Sequence, residues 1–254
     1  MPYFLFDGII LIDQPFSIKG ADSNHIFRSR RIQQGEVISI QDSSFKRYLV
    51  EVTEINKRGI VGRPVRQIST PAEPSFRINL FQALVKEKAL DNIIQKSTEL
   101  GVSSIWVFQS HNSQRLNPSI DIAKRLRRWE TICREACKQS ERLRPPSVHF
   151  LPSLDESSLS DSGAGIQMAK NICLSLSGVP DSLKHIPRHE AGLNIFIGPE
   201  GGWGEGEPVI DNLSSFHLGP RTLRAETAAI TAIGVVQFLF GDFDHSPLTC
   251  TVSS

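Results

Sequence analysis

The sequence has no long apolar run and no basic leader. No segment approaches the roughly 18 consecutive apolar residues that a membrane-spanning helix requires, so we expect no membrane partner. The first residues, MPYFLFDGIILIDQPF, are apolar but include Asp7 and Asp13 and contain no Lys or Arg. A secretory signal has a positively charged start followed by an apolar stretch. These absences predict a cytoplasmic protein.

Cysteine and histidine are too few and too scattered to suggest a metal site. The cysteines are Cys133, Cys137, Cys173 and Cys250. The first two are four residues apart on a predicted helix, and no second pair of ligands accompanies them. His185 and His189 flank Pro187, so they lack helical metal-ligand spacing. We predict reduced thiols, some of them buried, and no bound metal.

The net charge of +1 conceals an uneven distribution of charge. Residues 1–150 contain 23 Lys and Arg against 15 Asp and Glu, whereas residues 151–254 contain 5 against 12. A basic N-terminal part suggests contact with nucleic acid. Solvated charged faces would produce the same imbalance, so charge alone leaves both interpretations open.

Residues 1–67 show the pattern of short strands. Segments 36–41 (EVISIQ) and 47–55 (RYLVEVTEI) alternate apolar and polar side chains, with turn residues between them. This pattern is typical of small β-barrels. The following ISTPAEPS, residues 68–75, has two prolines and no periodicity, and it predicts a linker. We therefore predict a first domain at residues 1–71 and a second at residues 72–254.

From Phe76 onward, predicted strands alternate with predicted helices. The strands are residues 76–84, 103–110, 147–151, 171–177, 193–198 and 215–219. The helices are residues 86–100, 121–140 and 225–240. Gly101 stands at the expected C-terminal cap of the first helix. This alternation predicts an α/β fold with a largely parallel sheet.

One loop is unusually rich in both glycine and glutamate. The stretch NIFIGPEGGWGEGE, residues 194–207, leaves a predicted strand, and ligands of open α/β sheets bind beyond the carboxyl ends of strands. It lacks the lysine of a phosphate loop and the spacing of a dinucleotide loop. Its carboxylates, Glu200, Glu205 and Glu207, would repel a polyphosphate but tolerate a cationic nucleoside such as S-adenosylmethionine. A tight turn without a ligand is the alternative.

A second loop of the same kind follows the next predicted strand. The stretch HLGPRTLRAETAA, residues 217–229, places Arg221 and Arg224 where a helix begins. Because arginine is unfavourable beside the positive end of a helix dipole, these residues suggest a bound anion. Ion pairs with neighbouring glutamates are the alternative. Glu226, in the first helical turn, is open to two roles, as a catalytic base or as part of the helix start.

At these two loops the sequence resembles the bacterial 16S ribosomal RNA uracil-N3 methyltransferases of the knotted SPOUT superfamily. Three further stretches share the resemblance, which covers nearly the whole chain: NHIFRSRRIQQGE, KEKALDNIIQKSTELGV and REACKQSERLRPPSV. The resemblance implies an N-terminal PUA-like RNA-binding β-barrel and a C-terminal methyltransferase domain with a trefoil knot. It also implies a homodimer that uses S-adenosyl-L-methionine to methylate N3 of uridine 1498 of 16S rRNA in the small (30S) subunit.

The resemblance also implies which residues form the site. The cofactor-binding residues are Leu174, Ile197, Gly198, Glu200, Gly201, Gly202, Leu218, Gly219, Leu223 and Arg224. Neutral uracil N3 carries a proton and is a poor nucleophile, so a cation beside the uracil carbonyls would stabilise developing negative charge. We predict Arg224 or Arg221 for this catalytic role, as the cations of the two loops.

Two basic clusters are candidates for binding RNA. The residues are Arg28, Arg30 and Arg31 in the barrel, and Lys124 and Arg128 on the helix at 121–140. Their pairing with phosphates would make RNA affinity depend on salt, although a solvated helix face would look the same. Trp129, beside the second cluster, is open to core packing or base stacking. Two other functions remain open, a ribose 2′-O-methyltransferase on a related fold and a non-catalytic RNA-binding module.

Overall fold

A computed structural model of the 254-residue chain describes residues 3–19, 32–56, 59–69, 73–113, 115, 121–155, 168–175, 181–208 and 210–243. The chain divides into two compact units. Unit 1 comprises Met1–Ala72 and Lys138–Arg144, and unit 2 comprises Glu73–Cys137 and Pro145–Ser254. Unit 1 thus includes a short segment from the middle of the chain.

Unit 1 is a five-stranded mixed sheet, in agreement with the predicted all-strand pattern. The strands are β1 (Tyr3–Leu5), β2 (Phe16–Lys19), β3 (Val37–Gln41), β4 (Arg47–Asn56) and β5 (Gly59–Ile68). Their order is β1-β3-β4-β5-β2, and β1 runs parallel to β3 while the other pairs are antiparallel. The alternating apolar side chains of these strands fill one core, with Ile40, Val50 and Val52 fully buried.

The segment Lys138–Arg144 is held in unit 1 by buried polar side chains. The guanidinium of Arg47, 3% exposed, donates to the carbonyl oxygens of Glu141 and Arg142 at 2.7 and 3.1 Å. The Gln41 amide donates to the Leu143 carbonyl at 2.8 Å, and the Tyr3 hydroxyl donates to the Arg142 carbonyl at 2.7 Å. Unit 1 therefore depends on carbonyls supplied by a segment about 95 residues away from Arg47 in the sequence.

Unit 2 is a seven-stranded sheet in which every pairing is parallel. Its strands are β6 (Ile78–Ala83), β7 (Ser104–Phe108), β8 (Ser147–Leu151), β9 (Lys170–Leu174), β10 (Asp181–Ser182), β11 (Leu193–Ile197) and β12 (Leu213–His217). The helices are α1 (Glu87–Glu99), α2 (Ile122–Ser140) and α3 (Ala225–Phe240), and a 3₁₀ turn covers Leu183–His185. The last three residues of α2 belong to unit 1. The strand order is β10-β12-β9-β11-β6-β7-β8.

The prediction of a parallel α/β sheet is confirmed, with differences at three strands. The sequence missed β10, a two-residue strand too short to show a pattern. The last predicted strand, 215–219, instead runs from Leu213 to His217, so its Gly-Pro dipeptide lies in the turn beyond the strand. The strand predicted at 171–177 is Lys170–Leu174, and residues 176–180 lie outside the described part.

The helices pack on the sheet through the faces expected from their sequences. In α1 the buried side chains include the predicted Leu90, Ile93 and Ile94, and Gly101 follows the helix with a φ of +91°. Trp129 of α2 is 1% exposed and belongs to the main core of unit 2. Of the two roles considered for Trp129, core packing is therefore confirmed and base stacking is wrong. Cys133 and Cys137 are buried, and Cys250 lies outside the described residues.

Three buried asparagines and one serine form a row across four strands, near the amino ends of those strands. Asn194 of β11 donates to the Asn171 side chain of β9 at 2.8 Å and accepts from the Asn79 side chain of β6 at 2.9 Å. Asn79 also accepts from the Ser104 hydroxyl of β7, which accepts in turn from the Trp106 indole. The pairs Asn194–Asn171, Asn194–Asn79 and Asn79–Ser104 stand directly opposite in the register. Because a one-residue slip would leave these buried groups unpaired, the row fixes the register of β11.

Two properties of the described residues bear on membrane and metal binding. Within them, no helix has the length and apolar character required to cross a bilayer. The same residues contain no group of three or more His, Cys, Asp or Glu side chains placed to hold a metal ion.

Candidate functional site

A cavity of about 910 Å³ opens at the carboxyl edge of the unit 2 sheet. Four neighbouring parallel strands, β12, β9, β11 and β6, end at this edge. The cavity is lined by the residues that follow these strands and by the first turns of α1 and α3. Its size is within the range of small-molecule sites, and its position is where α/β sheets bind ligands. Both glycine-proline loops line it.

The first glycine loop is fixed to the end of β9 by a tryptophan. The indole nitrogen of Trp203 donates to the Leu174 carbonyl at 3.2 Å, and its ring stacks on Phe108 with centroids 6.1 Å apart. A Cβ on Gly198 would come within 3.0 Å of the Trp203 ring, so only glycine allows this ring position without adjustment. Gly202, with a φ of +75°, closes the turn by donating its amide to the Pro199 carbonyl at 3.0 Å.

The far end of this loop is fixed by Glu207. Its carboxylate accepts hydrogen bonds from the Ser110 hydroxyl at 2.6 Å, the His111 amide at 2.9 Å and the Gly204 amide at 3.1 Å. Burial raises the pKa of this carboxyl, but the three hydrogen bonds outweigh burial, and the net pKa lies below its ordinary value. Glu207 thus ties the glycine loop to the loop after β7 rather than facing the cavity.

The three carboxylates of this loop therefore do not all line the cavity. Glu200 lines the cavity, whereas Glu205 is exposed and does not. The loop contains no lysine, but the whole site does, because Lys86 and Lys88 at the start of α1 line the cavity as well. The sequence did not reveal these lysines because they reach the site through the pairing of β6 with β11, more than 100 residues apart.

The second loop brings two arginines to the cavity. Arg221 and Arg224 both line it, and within the described part of the chain neither forms a salt bridge or a hydrogen bond through its side chain. The alternative of ion pairs with neighbouring glutamates is therefore wrong. The turn before them is set by His217, whose Nδ1 accepts the Gly219 amide at 3.0 Å, so a neutral His217 carries its proton on Nε2. Gly219 has a φ of +95°.

Glu226 follows this loop, in the first turn of α3. It lines the cavity, and its Oε2 atom is buried without a hydrogen-bond partner in the described structure. No arginine or lysine among the described residues pairs with it. A buried carboxylate oxygen without a donor is costly. Because Glu226 belongs to the cavity wall, a ligand that brings a hydrogen-bond donor would satisfy this carboxylate.

Most of the cofactor residues implied by the resemblance meet in this cavity. The lining includes Leu174, Ile197, Gly198, Glu200, Gly202, Leu218, Leu223 and Arg224. Gly201 and Gly219 are not part of it, because they lie in the backbone turns that shape the two loops. The sequence did not point to Asn92 of α1, Ser175 after β9 or His217, which also line the cavity.

The predicted RNA-binding residues divide into three cases. Arg28, Arg30 and Arg31 lie outside the described residues. Lys124 is exposed, and only its backbone amide is engaged, with the Asp121 carboxylate at 3.1 Å.

Arg128 is already paired with carboxylates of α1. It forms a salt bridge with Asp91 at 2.5 Å and a second one with Glu87. Its positive charge is therefore largely neutralised within unit 2, and Lys124 is the stronger remaining candidate on this helix.

Comparison with known proteins identifies the family. The model of the RNA methyltransferase domain matches residues 72–237, and that of the RNA methyltransferase PUA domain matches residues 18–65. Ribosomal RNA small subunit methyltransferase E of Mesomycoplasma hyopneumoniae is 35% identical over 222 residues, which cover 85% of this chain and 90% of the relative. The chain belongs to this methyltransferase family. The resemblance found in the sequence motifs is thereby confirmed.

Solved structures of family members have the same fold along nearly their whole length. The family member from Neisseria gonorrhoeae, bound to S-adenosyl methionine, superimposes with a TM-score of 0.80 at 28% identity and covers 96% of this chain and 99% of its own. A putative methyltransferase from Legionella pneumophila in complex with SAM gives a TM-score of 0.82 at 26% identity, with coverage of 95% and 98%. The predicted fold class, a PUA-like domain followed by a SPOUT-type α/β domain, is confirmed, while the knot stays a prediction.

Proposed function

We propose that this methyltransferase transfers a methyl group from S-adenosylmethionine to N3 of a uridine in small-subunit ribosomal RNA. The family's target, uridine 1498 of 16S rRNA, is the position we expect. One observation carries the proposal: two glycine-proline loops and two unpaired arginines surround a single cavity at the carboxyl edge of a parallel sheet. Family membership supports the choice of RNA as substrate.

The cavity fits an adenosyl cofactor. Leu174, Ile197 and Leu218 supply apolar wall, as an adenine ring requires, and the glycine loop supplies exposed backbone. Glu200, an exposed carboxylate of that loop, suits a ligand with positive charge. S-adenosylmethionine supplies a methyl group on a positively charged sulfur, which is the leaving group of the reaction.

Arg221 and Arg224 would hold the uracil. Their guanidinium groups can donate hydrogen bonds to the two carbonyl oxygens that flank N3, and they would stabilise negative charge on the ring when the N3 proton leaves. Because the described structure gives them no other partner, they carry no cost of breaking an ion pair. Unit 1, which contains the PUA-like domain, would dock the RNA, and Lys124 would add a phosphate contact. We expect a homodimer in the cytoplasm.

The test is methyl transfer by the full-length protein to small-subunit particles that lack this modification. The modified nucleoside is then identified after digestion. N3-methyluridine is the expected product, and its absence in wild-type reactions would refute the proposal. A 2′-O-methylated nucleoside would instead indicate transfer to ribose. A protein that shows no calorimetric binding of S-adenosylmethionine would be an RNA-binding module without catalysis.

Arg224→Ala and Arg221→Ala test the roles of the two arginines. Each should lower the methyl-transfer rate at saturating RNA, because a charge-assisted hydrogen bond to the developing anion is lost. Normal rates in both variants would show that the carbonyls are held by other groups.

A further inference from the structure

Transfer to N3 needs a group that removes a proton. Uracil N3 is protonated at neutral pH, and its lone pair becomes available only when that proton leaves. The arginines of the second loop can stabilise the resulting anion, but as permanently protonated groups they cannot accept the proton. The remaining proton acceptors in the cavity wall are carboxylates, because the Nδ1 atom of His217 already accepts the Gly219 amide.

Two carboxylates line the cavity, and they differ in their surroundings. Glu200 is exposed on the glycine loop, where water solvates it. Glu226 is partly buried in the first turn of α3, and its Oε2 atom has no hydrogen-bond donor among the described residues. It directly follows Arg224 and Ala225 in the chain, so it lies on the side of the cavity that we assign to uracil.

From this contrast we propose that Glu226 accepts the N3 proton of the target uridine, an inference that rests on the proposed function. The N3–H bond breaks and its proton goes to the Glu226 carboxylate. The electron pair left on N3 forms the N3–CH₃ bond, and the electron pair of the broken S–CH₃ bond stays with the neutral thioether that leaves. The proton returns to solvent from Glu226 when the product departs.

The pattern of groups complements the uracil edge. That edge presents a carbonyl acceptor, the N3–H donor and a second carbonyl acceptor. Two guanidinium groups and one unpartnered carboxylate oxygen offer donors for the carbonyls and an acceptor for N3–H. Because the methyl group reaches N3 along the direction that the proton vacates, the proton leaves first, and the arginines stabilise the anion until transfer.

Several other charged or titratable groups face the same cavity and must be considered in any pH experiment. They are Lys86, Lys88, Glu200, His217, Arg221 and Arg224. All of them are unchanged when only Glu226 is replaced. A difference in pH profile between wild type and a Glu226 variant therefore reports on Glu226 itself.

The experiment compares full-length wild type with Glu226→Gln, Glu226→Asp and Glu200→Gln. Glu226→Gln should lower the transfer rate by about 10²–10³-fold, while calorimetry gives a Kd for S-adenosylmethionine within about twofold of wild type. Filter binding of RNA to the cofactor-free protein should change by less than about threefold, since the glutamine carbonyl can still accept from N3–H.

The pH profile separates proton acceptance from a purely structural role. Glu226→Gln must use uracil that is already ionised, so its rate should rise about tenfold per pH unit between pH 7 and 9. Wild type and Glu226→Asp should rise much less steeply over that range. Glu200→Gln should weaken cofactor binding without adopting the steep slope. Assembled particles that carry 5-fluorouridine at the target have a more acidic N3 proton. With these particles, the ratio of the Glu226→Gln rate to the wild-type rate should rise more than tenfold.

Each outcome has a defined meaning. If wild type forms no N3-methyluridine, the proposed function fails regardless of Glu226. If wild type forms it and Glu226→Gln matches its rate or its pH slope, the inference about Glu226 is overturned. A Kd for S-adenosylmethionine raised more than tenfold in Glu226→Gln also overturns it, because the carboxylate then belongs to the cofactor subsite.

Discussion

Replacing Glu207 by glutamine should loosen the glycine loop without unfolding the domain. The glutamate accepts three hydrogen bonds, from Ser110, His111 and Gly204. Glutamine keeps the shape but exchanges one acceptor oxygen for an amide group, which must face at least one of these donors. Hydrogen bonds to a charged group contribute about 1.5–3 kcal/mol each, against about 1 kcal/mol for neutral ones.

The loop should therefore lose about 2 kcal/mol of stabilisation in its closed position. If cofactor binding must restore that position, the Kd for S-adenosylmethionine rises by about 30-fold, since 1.4 kcal/mol is a factor of ten. Calorimetry measures this Kd, and thermal unfolding checks that both proteins are folded at the assay temperature. Glu205→Gln is a matched control, because Glu205 is an exposed glutamate of the same loop with no partner in the described structure.

The two variants must differ for this reasoning to stand. Equal affinities for S-adenosylmethionine in Glu207→Gln and Glu205→Gln would show that the hydrogen bonds of Glu207 do not hold the loop in its binding position.

Three other predictions concern pH, the sheet and RNA. Because folding lowers the pKa of Glu207, the contribution of its carboxylate to stability is present at neutral pH and is lost as pH falls below 4.5, the ordinary pKa of glutamate. In urea titrations, the difference in unfolding free energy between wild type and Glu207→Gln should therefore shrink as pH falls below 4.5. Asn194→Ala should lower the free energy of unfolding by about 2–5 kcal/mol, because it leaves the buried side chains of Asn79 and Asn171 each without one hydrogen-bond partner. Asn112→Ala, at an exposed position, should change that free energy by less than about 0.5 kcal/mol, and similar losses in the two variants would contradict the role of the asparagine row. Lys124→Gln should weaken RNA binding and make the slope of log affinity against log salt concentration shallower by about one. Arg128→Gln should have a much smaller effect, because the Arg128 guanidinium is already paired with carboxylates, and equal effects in filter binding would show that Arg128 leaves these partners to contact phosphate.

Much of the fold was predictable because it depends on local periodicity. The stripe of Leu90, Ile93 and Ile94 and the glycine after it predicted α1 almost to the residue. Alternating side chains likewise predicted β3 and β4. What the sequence could not show was β10, whose two residues are held only by pairing with β12.

The site was predictable only where its residues are close together in the sequence. The two glycine-proline loops stand out as motifs, and both line the cavity. Lys86, Lys88 and Asn92 do not stand out, because their helix joins the site through a strand pairing between distant segments. The sequence also did not predict that Glu207 ties the glycine loop to the loop after β7, because its donors at Ser110 and His111 lie almost 100 residues earlier in the chain.

The contacts of Arg47 and Gln41 have a consequence for how the protein is made. Both side chains complete their hydrogen bonds with carbonyls of residues 141–143, which leave the ribosome long after the N-terminal strands. At synthesis rates of about 5–20 residues per second, the interval between residues 72 and 144 lasts about 4–14 s. During that time the Arg47 guanidinium has Gln41 and Tyr3 as partners but lacks the carbonyls of Glu141 and Arg142. The N-terminal unit therefore reaches its final packing only after residues 138–144 have been translated.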